Sequence, residues 1–91
     1  MKSADELPNE TIDNFYKQIG INVKKQREQK GYTQLELSQA LGHKSVGLVS
    51  QAELYLKKQH FNIGHLYKIA YVLECKLSDL LVDAYNRNSK T

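Results

Sequence analysis

Two glycines constrain this chain more than any other feature. Gly31 closes one helical pattern and Gly42 closes the next, so the stretch between them holds one short helix. That helix carries its own start signal. Thr33 is followed three residues later by Glu36, the pairing of a capping box, in which hydroxyl and carboxylate each accept from an orphan N–H. Leu37 and Leu41 face inward at helical spacing, with Ala40 beside them. Beyond Gly42, His43 and Lys44 form a short turn. Ser45 is expected to cap a further helix from Val46 to about Leu56, with Val49, Ala52 and Leu56 inward. Two short helices that cross steeply need a small residue at the crossing. Ser38 takes that place, and its hydroxyl can bond back along the helix. The turn between them needs positive φ, which Gly42 supplies without a clashing Cβ.

The rest of the chain reads as helices around this pair. Upstream, Ile12, Phe15, Ile19 and Val23 recur at spacings of three and four, one face of an amphipathic helix capped by Asn9 or Thr11 and running to about Lys30. Gly20 interrupts it, predicting either a kink or a close neighbour. Lys24, Lys25 and Lys30 lie toward its C-terminus, where cations oppose the helix dipole favourably. Downstream, Lys57, Lys58, Gln59 and His60 form a basic loop. Asn62 caps a helix from Ile63 to about Leu73, with Leu66, Ile69, Ala70 and Leu73 inward, and Ser78 caps a short last helix with Leu80, Leu81 and Tyr85. The expected organisation is a flexible leader at 1–10, one domain at 11–85 and a flexible tail at 86–91.

Composition agrees with one small helical domain. The 91 residues are 41% hydrophobic and 25% charged, so the chain is neither a disordered tail nor a membrane protein. Gly and Pro number only 5 and 1, which favours helix. No apolar run reaches the length of a membrane span and no secretory signal precedes the domain, so the cytoplasm is the expected location. The single cysteine, Cys75, cannot form an internal disulfide and reads as a packing residue. Charge is uneven. Residues 1–18 set Lys2 and Lys17 against Asp5, Glu6, Glu10 and Asp13, whereas residues 19–82 carry nine Lys and Arg against five Asp and Glu. The basic middle suits a polyanionic partner. His43, His60 and His65 fit no paired metal-ligand spacing. No Ser/His/Asp order, Gly-rich phosphate loop or convincing carboxylate pair signals an enzyme, and nothing points to a cofactor or a small-molecule effector.

The run Gly31-Tyr32-Thr33-Gln34, then Leu37-Ser38 and Leu41-Gly42, then Ser45 through Val49-Ser50-Gln51-Ala52-Glu53 resembles the Cro/XRE family of lambda-repressor-like DNA-binding domains. Leu66, Ile69-Ala70, Leu73 and Ser78-Asp79-Leu80 resemble the last two helices of that fold, and the likeness extends over roughly residues 19–82. It implies an all-α, five-helix bundle with a long first helix and a helix-turn-helix made by helices 2 and 3. It further implies duplex DNA as partner, with homodimerisation as the family's habit. The surface suspected for it is the last helix with Tyr85, joined by the first helix. By the same resemblance Ser45, Val46, Gly47, Ser50 and Gln51 face the major groove. Gln34 contacts a phosphate and braces a side chain of the recognition helix. Arg27 and Glu53 form an internal salt bridge. Lys44, Lys57 and Lys58 flank the recognition helix at places suited to phosphates, and the capping residues Thr33 and Asn62 stand beside backbone N–H groups that suit them too. Tyr55 is open between touching the sugar-phosphate chain and packing on the fourth helix.

The chain departs from that family in several places. Ser38 stands where Ala is usual. One extra residue lies between Gly42 and the recognition helix, and the loop after Glu53 is about two residues longer and lacks the common Gly and Pro. The reading face holds no Arg, no Asn and one Gln, Gln51, although base readout commonly uses Arg, Lys, Asn or Gln. Val46 and Leu48 offer apolar contact to thymine methyls if they face the groove. The leading expectation is therefore a sequence-reading transcriptional regulator. The alternatives are a low-specificity nucleoid or architectural DNA binder, and an antitoxin-like protein-interaction module that docks through its acidic first 18 residues.

Overall fold

A computed structural model describes residues 1–85, and the expected tail at 86–91 lies outside the described residues. The described chain is all-helical, with α1 (Glu10–Gln29), α2 (Gln34–Ala40), α3 (Gly47–Leu54), α4 (Ile63–Leu73) and α5 (Leu77–Leu80). Two single 3-10 turns, Ala4–Glu6 and Leu56–Lys58, precede α1 and follow α3. Residues 1–10 are all exposed.

α1 is the organising element, about 30 Å long at 1.5 Å per residue. Ile19, Gly20, Asn22, Val23 and Arg27 form its buried face. Asn9 stands at its N-cap without a side-chain bond, and Thr11 N–H donates to Pro8 O at 3.0 Å. Ile12, expected on the inward face, is exposed; the neighbour at that end of α1 is the polar Tyr55–His60 loop, not an apolar helix. Gly20 meets the close neighbour that its position predicts. A Cβ there would lie 2.6 Å from the carbonyl oxygens of both Ala52 and Glu53, so α1 and α3 approach backbone to backbone, and α1 continues unbroken through the site.

The core joins Ile19 and Val23 to Leu37, Val49, Ala52, Phe61, Leu66, Ile69, Ala70, Leu73, Leu80 and Ala84. Phe61, 1% exposed, closes the loop before α4 and escaped the reading of that loop as basic. Asn22 is equally unheralded. Its buried Nδ2 donates to Leu80 O at 3.0 Å and Val82 O at 2.8 Å, which ties the end of α5 to α1. Because the amide satisfies two carbonyls left over at a helix end, its burial is compensated.

Several local expectations need correction. Ser45 does not cap α3. The N-cap is Val46, and the Ser45 hydroxyl accepts only a long bond, 3.4 Å, from Gly47 N–H; the turn after Gly42 runs past the serine before the helix begins. α3 ends at Leu54 because Tyr55 adopts the left-handed conformation, φ 55°, and Leu56 is consequently exposed rather than inward. Lys76, not Ser78, precedes α5, since the Asp79 carboxylate accepts the Lys76 N–H at 2.9 Å. Tyr85 lies beyond that helix and is exposed, and Ala40 is exposed as well. The Ser38 hydroxyl is fully buried and makes no hydrogen bond among the described residues. The steric demand of the crossing is met by its size, not by its polarity. By contrast the two turn glycines have positive φ, 82° at Gly31 and 89° at Gly42.

Candidate nucleic-acid interface

The rear of α3 is held by buried charge. Arg27 donates from Nε to Glu53 Oε2 at 2.7 Å and from Nη2 to Glu53 Oε1 at 3.0 Å, a bidentate pair. The remaining guanidinium arm donates to Tyr32 O at 2.7 Å. Gln34 Nε2 also donates to Glu53 Oε1, at 3.0 Å. One carboxylate thus collects α1, the first residue of α2 and α3 at a single point. Arg27 is 6% exposed and Glu53 2%, and their hydrogen bonds raise the Arg27 pKa against the opposing effect of burial. Removing one member of such a pair strands a buried charge, at about 3–5 kcal/mol.

With Val49, Ala52 and Glu53 buried behind it, α3 turns Gly47, Ser50, Gln51 and Leu54 outward. Gly47, Ser50 and Gln51 are half-buried and Leu54 is exposed. The Ser50 hydroxyl donates to Gly47 O at 3.1 Å, so along this face it presents acceptor lone pairs. Gln51 makes no side-chain hydrogen bond among the described residues and keeps both ends of its amide available. Leu48 is half-buried and packs against the core, which removes it from the outward face. Ser45 is exposed and Val46 half-buried at the entrance to the helix. Leu54 was not among the expected residues, although the helical period counted from Ser50 places it on the same face four residues on.

The residues around this face divide by how free they are. Lys44 and Lys57 are exposed, with no ion pair among the described residues. Lys58 differs, its Nζ lying 3.8 Å from Asp13 Oδ1. Thr33 and Asn62 both close capping boxes. Thr33 Oγ1 accepts from Glu36 N–H at 3.0 Å while Glu36 Oε1 accepts from Thr33 N–H at 2.8 Å. Asn62 Oδ1 accepts from His65 N–H at 2.7 Å while His65 Nδ1 accepts from Asn62 N–H at 3.1 Å. The Thr33 hydroxyl and the Asn62 amide each keep donor hydrogens after capping. Accepting that bond requires a neutral His65, and desolvation, followed by the nearby His43, lowers its pKa from 6.5.

Within the chain Tyr55 packs against α1. Its hydroxyl donates to Asp13 Oδ1 at 2.6 Å, and its ring stacks with Tyr16 on α1, centroids 6.0 Å apart. The Asp13 bond pushes the phenol pKa up to about 12 and lowers that of Asp13. Tyr16 stacks in turn on His60 at 3.8 Å. Tyr55, Lys57 and Lys58 are all left-handed, with φ of 55°, 52° and 61°. This conformation costs roughly 1–2 kcal/mol per non-glycine residue and persists where surrounding contacts over-determine it.

Among the described residues, no helix is long and apolar enough to cross a membrane, and no three His, Cys, Asp or Glu side chains gather as metal ligands. Cys75 is half-buried, and burial pushes its thiol pKa up, away from the reactive thiolate. A family model described as helix-turn-helix matches residues 23–80. No curated protein and no solved structure matches the chain.

Proposed function

Because the chain belongs to the Cro/XRE-type helix-turn-helix family of DNA-binding domains, we propose that it is a transcriptional regulator reading duplex DNA with α3 in the major groove. The observation that carries this reading is the contrast across α3. Its rear is fixed by the Arg27–Glu53–Gln34 network, while among the described residues the Gln51 side chain on its front makes no hydrogen bond and the exposed Lys44 and Lys57, which flank α3 in sequence, make no ion pair. A helix held rigidly from behind and open in front suits base readout, which needs side chains placed to within a fraction of an ångström. Ser45, Val46, Gly47, Ser50 and Gln51 line the bases, joined by Leu54, which offers apolar contact to a thymine methyl. Lys44, Lys57, the second N–H of Gln34, the Thr33 hydroxyl and the Asn62 amide take phosphates. Lys58 joins them only by giving up Asp13. A two-fold dimer would double the base contacts over two half-sites.

A second reading has its own support. Gln51 is the one long amide on the front, and the Ser50 hydroxyl proton is already engaged by Gly47 O, so direct readout is thin. A low-specificity architectural binder would need no more than the phosphate contacts. Selection from a random duplex pool at moderate salt, with sequencing of the retained fraction, separates the two. An enriched motif, above all a palindrome, is the expected result and gives the half-site spacing. Retention without enrichment would favour the architectural reading. If nothing is retained even at low salt, neither reading holds and the scaffold serves a protein partner.

A further inference from the structure

The first part of α1, residues 10–22, precedes the segment that matches the helix-turn-helix family, which begins at Val23. Within it, Asp13 and Tyr16 reach the loop that leaves α3. They meet the loop near both its ends, Asp13 by accepting from the Tyr55 hydroxyl and Tyr16 by stacking on Tyr55 and His60. Between these grips lie the left-handed residues Lys57 and Lys58. His60 adds an internal tie, its Nδ1 lying 3.0 Å from Lys58 O. The consequence falls differently on two adjacent lysines of identical chemistry. Lys58 is drawn toward Asp13, 3.8 Å away, whereas Lys57 has no carboxylate partner among the described residues.

We propose that Asp13 and Tyr16 are positioning residues for DNA binding: they clamp the Tyr55–His60 loop in its left-handed shape and so present the Lys57 ammonium to a backbone phosphate of the duplex. The proposal rests on the DNA-binding reading above and adds to it a role for the part of α1 that lies before the family's segment. A phosphate contact is strong only when the cation is held in place and not already paired. The clamp meets both conditions for Lys57, one by fixing the loop and the other by sending the competing carboxylate to Lys58.

The test turns on a sign. Asp13 is an anion beside a surface that takes a polyanion, so as a bystander its removal would free Lys58, lessen repulsion and tighten binding. As a clamp its removal weakens binding. The full-length chain is titrated with a mixed-sequence DNA duplex over a salt series, comparing Asp13→Ala, Tyr55→Phe, Lys57→Ala and the double variant Asp13→Ala/Lys57→Ala. Tyr55→Phe keeps the ring and removes only the hydroxyl. Each single variant should bind about fivefold more weakly, and its log–log salt slope should be shallower by about 0.9, the share of one phosphate contact. The double variant should be no weaker than Lys57→Ala alone. Amide exchange without DNA should quicken over residues 55–60 in Asp13→Ala and stay unchanged in α3. Binding by Asp13→Ala that is equal to or tighter than wild type overturns the positioning role and leaves the DNA reading standing, as does an additive loss in the double variant. Absence of duplex binding by the wild-type chain overturns the DNA reading and the phosphate contact together, and the exchange data then report whether the clamp exists in the fold alone.

Discussion

α1 grips the region around α3 twice, and the two grips are built from opposite materials. Toward its C-terminal end, Arg27 and Glu53 meet in a dry bidentate pair with Gln34 completing the shell. Nearer its N-terminal end, the half-buried Asp13, Tyr16 and Tyr55 meet the exposed Lys58, with one short phenol–carboxylate bond, ring stacking and an ion pair at 3.8 Å between side chains 32% and 78% exposed. A buried charge pair cannot lose a member without leaving an unsolvated ion, whereas an exposed pair exchanges partners with water at little cost. The rear grip therefore fixes whether α3 is there at all. The front grip sets the shape of the loop beside it, and its ion pair is the weaker of the two.

The largest effect that would break this comparison belongs to the rear. Arg27→Met should destabilise the fold by about 3–5 kcal/mol, read by chemical denaturation. A loss no larger than that of an exposed pair would put the two grips on the same footing. Gly20→Ala comes next, because the new Cβ drives against the carbonyls of Ala52 and Glu53; about 1–3 kcal/mol is expected, with α3 displaced from α1. Lys58→Ala should leave the unfolding midpoint within error, and a clear shift would mean that the front grip also carries the fold. The smallest effect concerns pH, at the α4 cap beside the interface. The folded pKa of His65 lies below its ordinary 6.5, so the folded state binds fewer protons than the unfolded chain between those values. The stabilisation is complete above about pH 6.5 and is lost as pH falls through that window toward the lowered folded value. His65→Gln keeps a capping side chain and should flatten this component of the stability–pH curve. An unchanged curve would assign the titration to another group.

Much of the fold was legible because its signals are local. Gly31, Gly42 and the Thr33–Glu36 box mark their turns and caps within four residues, and the apolar spacing of α4 needs no knowledge of its partners. Arg27 and Glu53, 26 positions apart, were paired through family resemblance alone, since nothing in their own neighbourhoods links them. What escaped depends on tertiary contact. Asn22 looks like an ordinary polar helix residue until the carbonyls of Leu80 and Val82 arrive beside it. Phe61 reads as part of a polar loop until α4 folds over it. The helix-start error at Ser45 arose because serine is a good cap in isolation, while the actual start was set by where the turn after Gly42 delivers the chain. At the candidate interface Gly47, Ser50 and Gln51 were named through the family resemblance, and the exposed Leu54 beside them was not named. The clamp on Tyr55 was not legible either, because Asp13 lies 42 positions away and the left-handed backbone that brings them together falls on lysines and a tyrosine, residues that do not announce it.

The most direct test of the central claim is the enriched motif of Gln51→Ala set beside that of the wild-type chain, with salt dependence measured for both. Reading by the front of α3 predicts that the preferred base changes or relaxes at one position of each half-site while the salt slope stays the same. An unchanged motif, or equal weakening on every duplex, would contradict major-groove reading through this face of the helix.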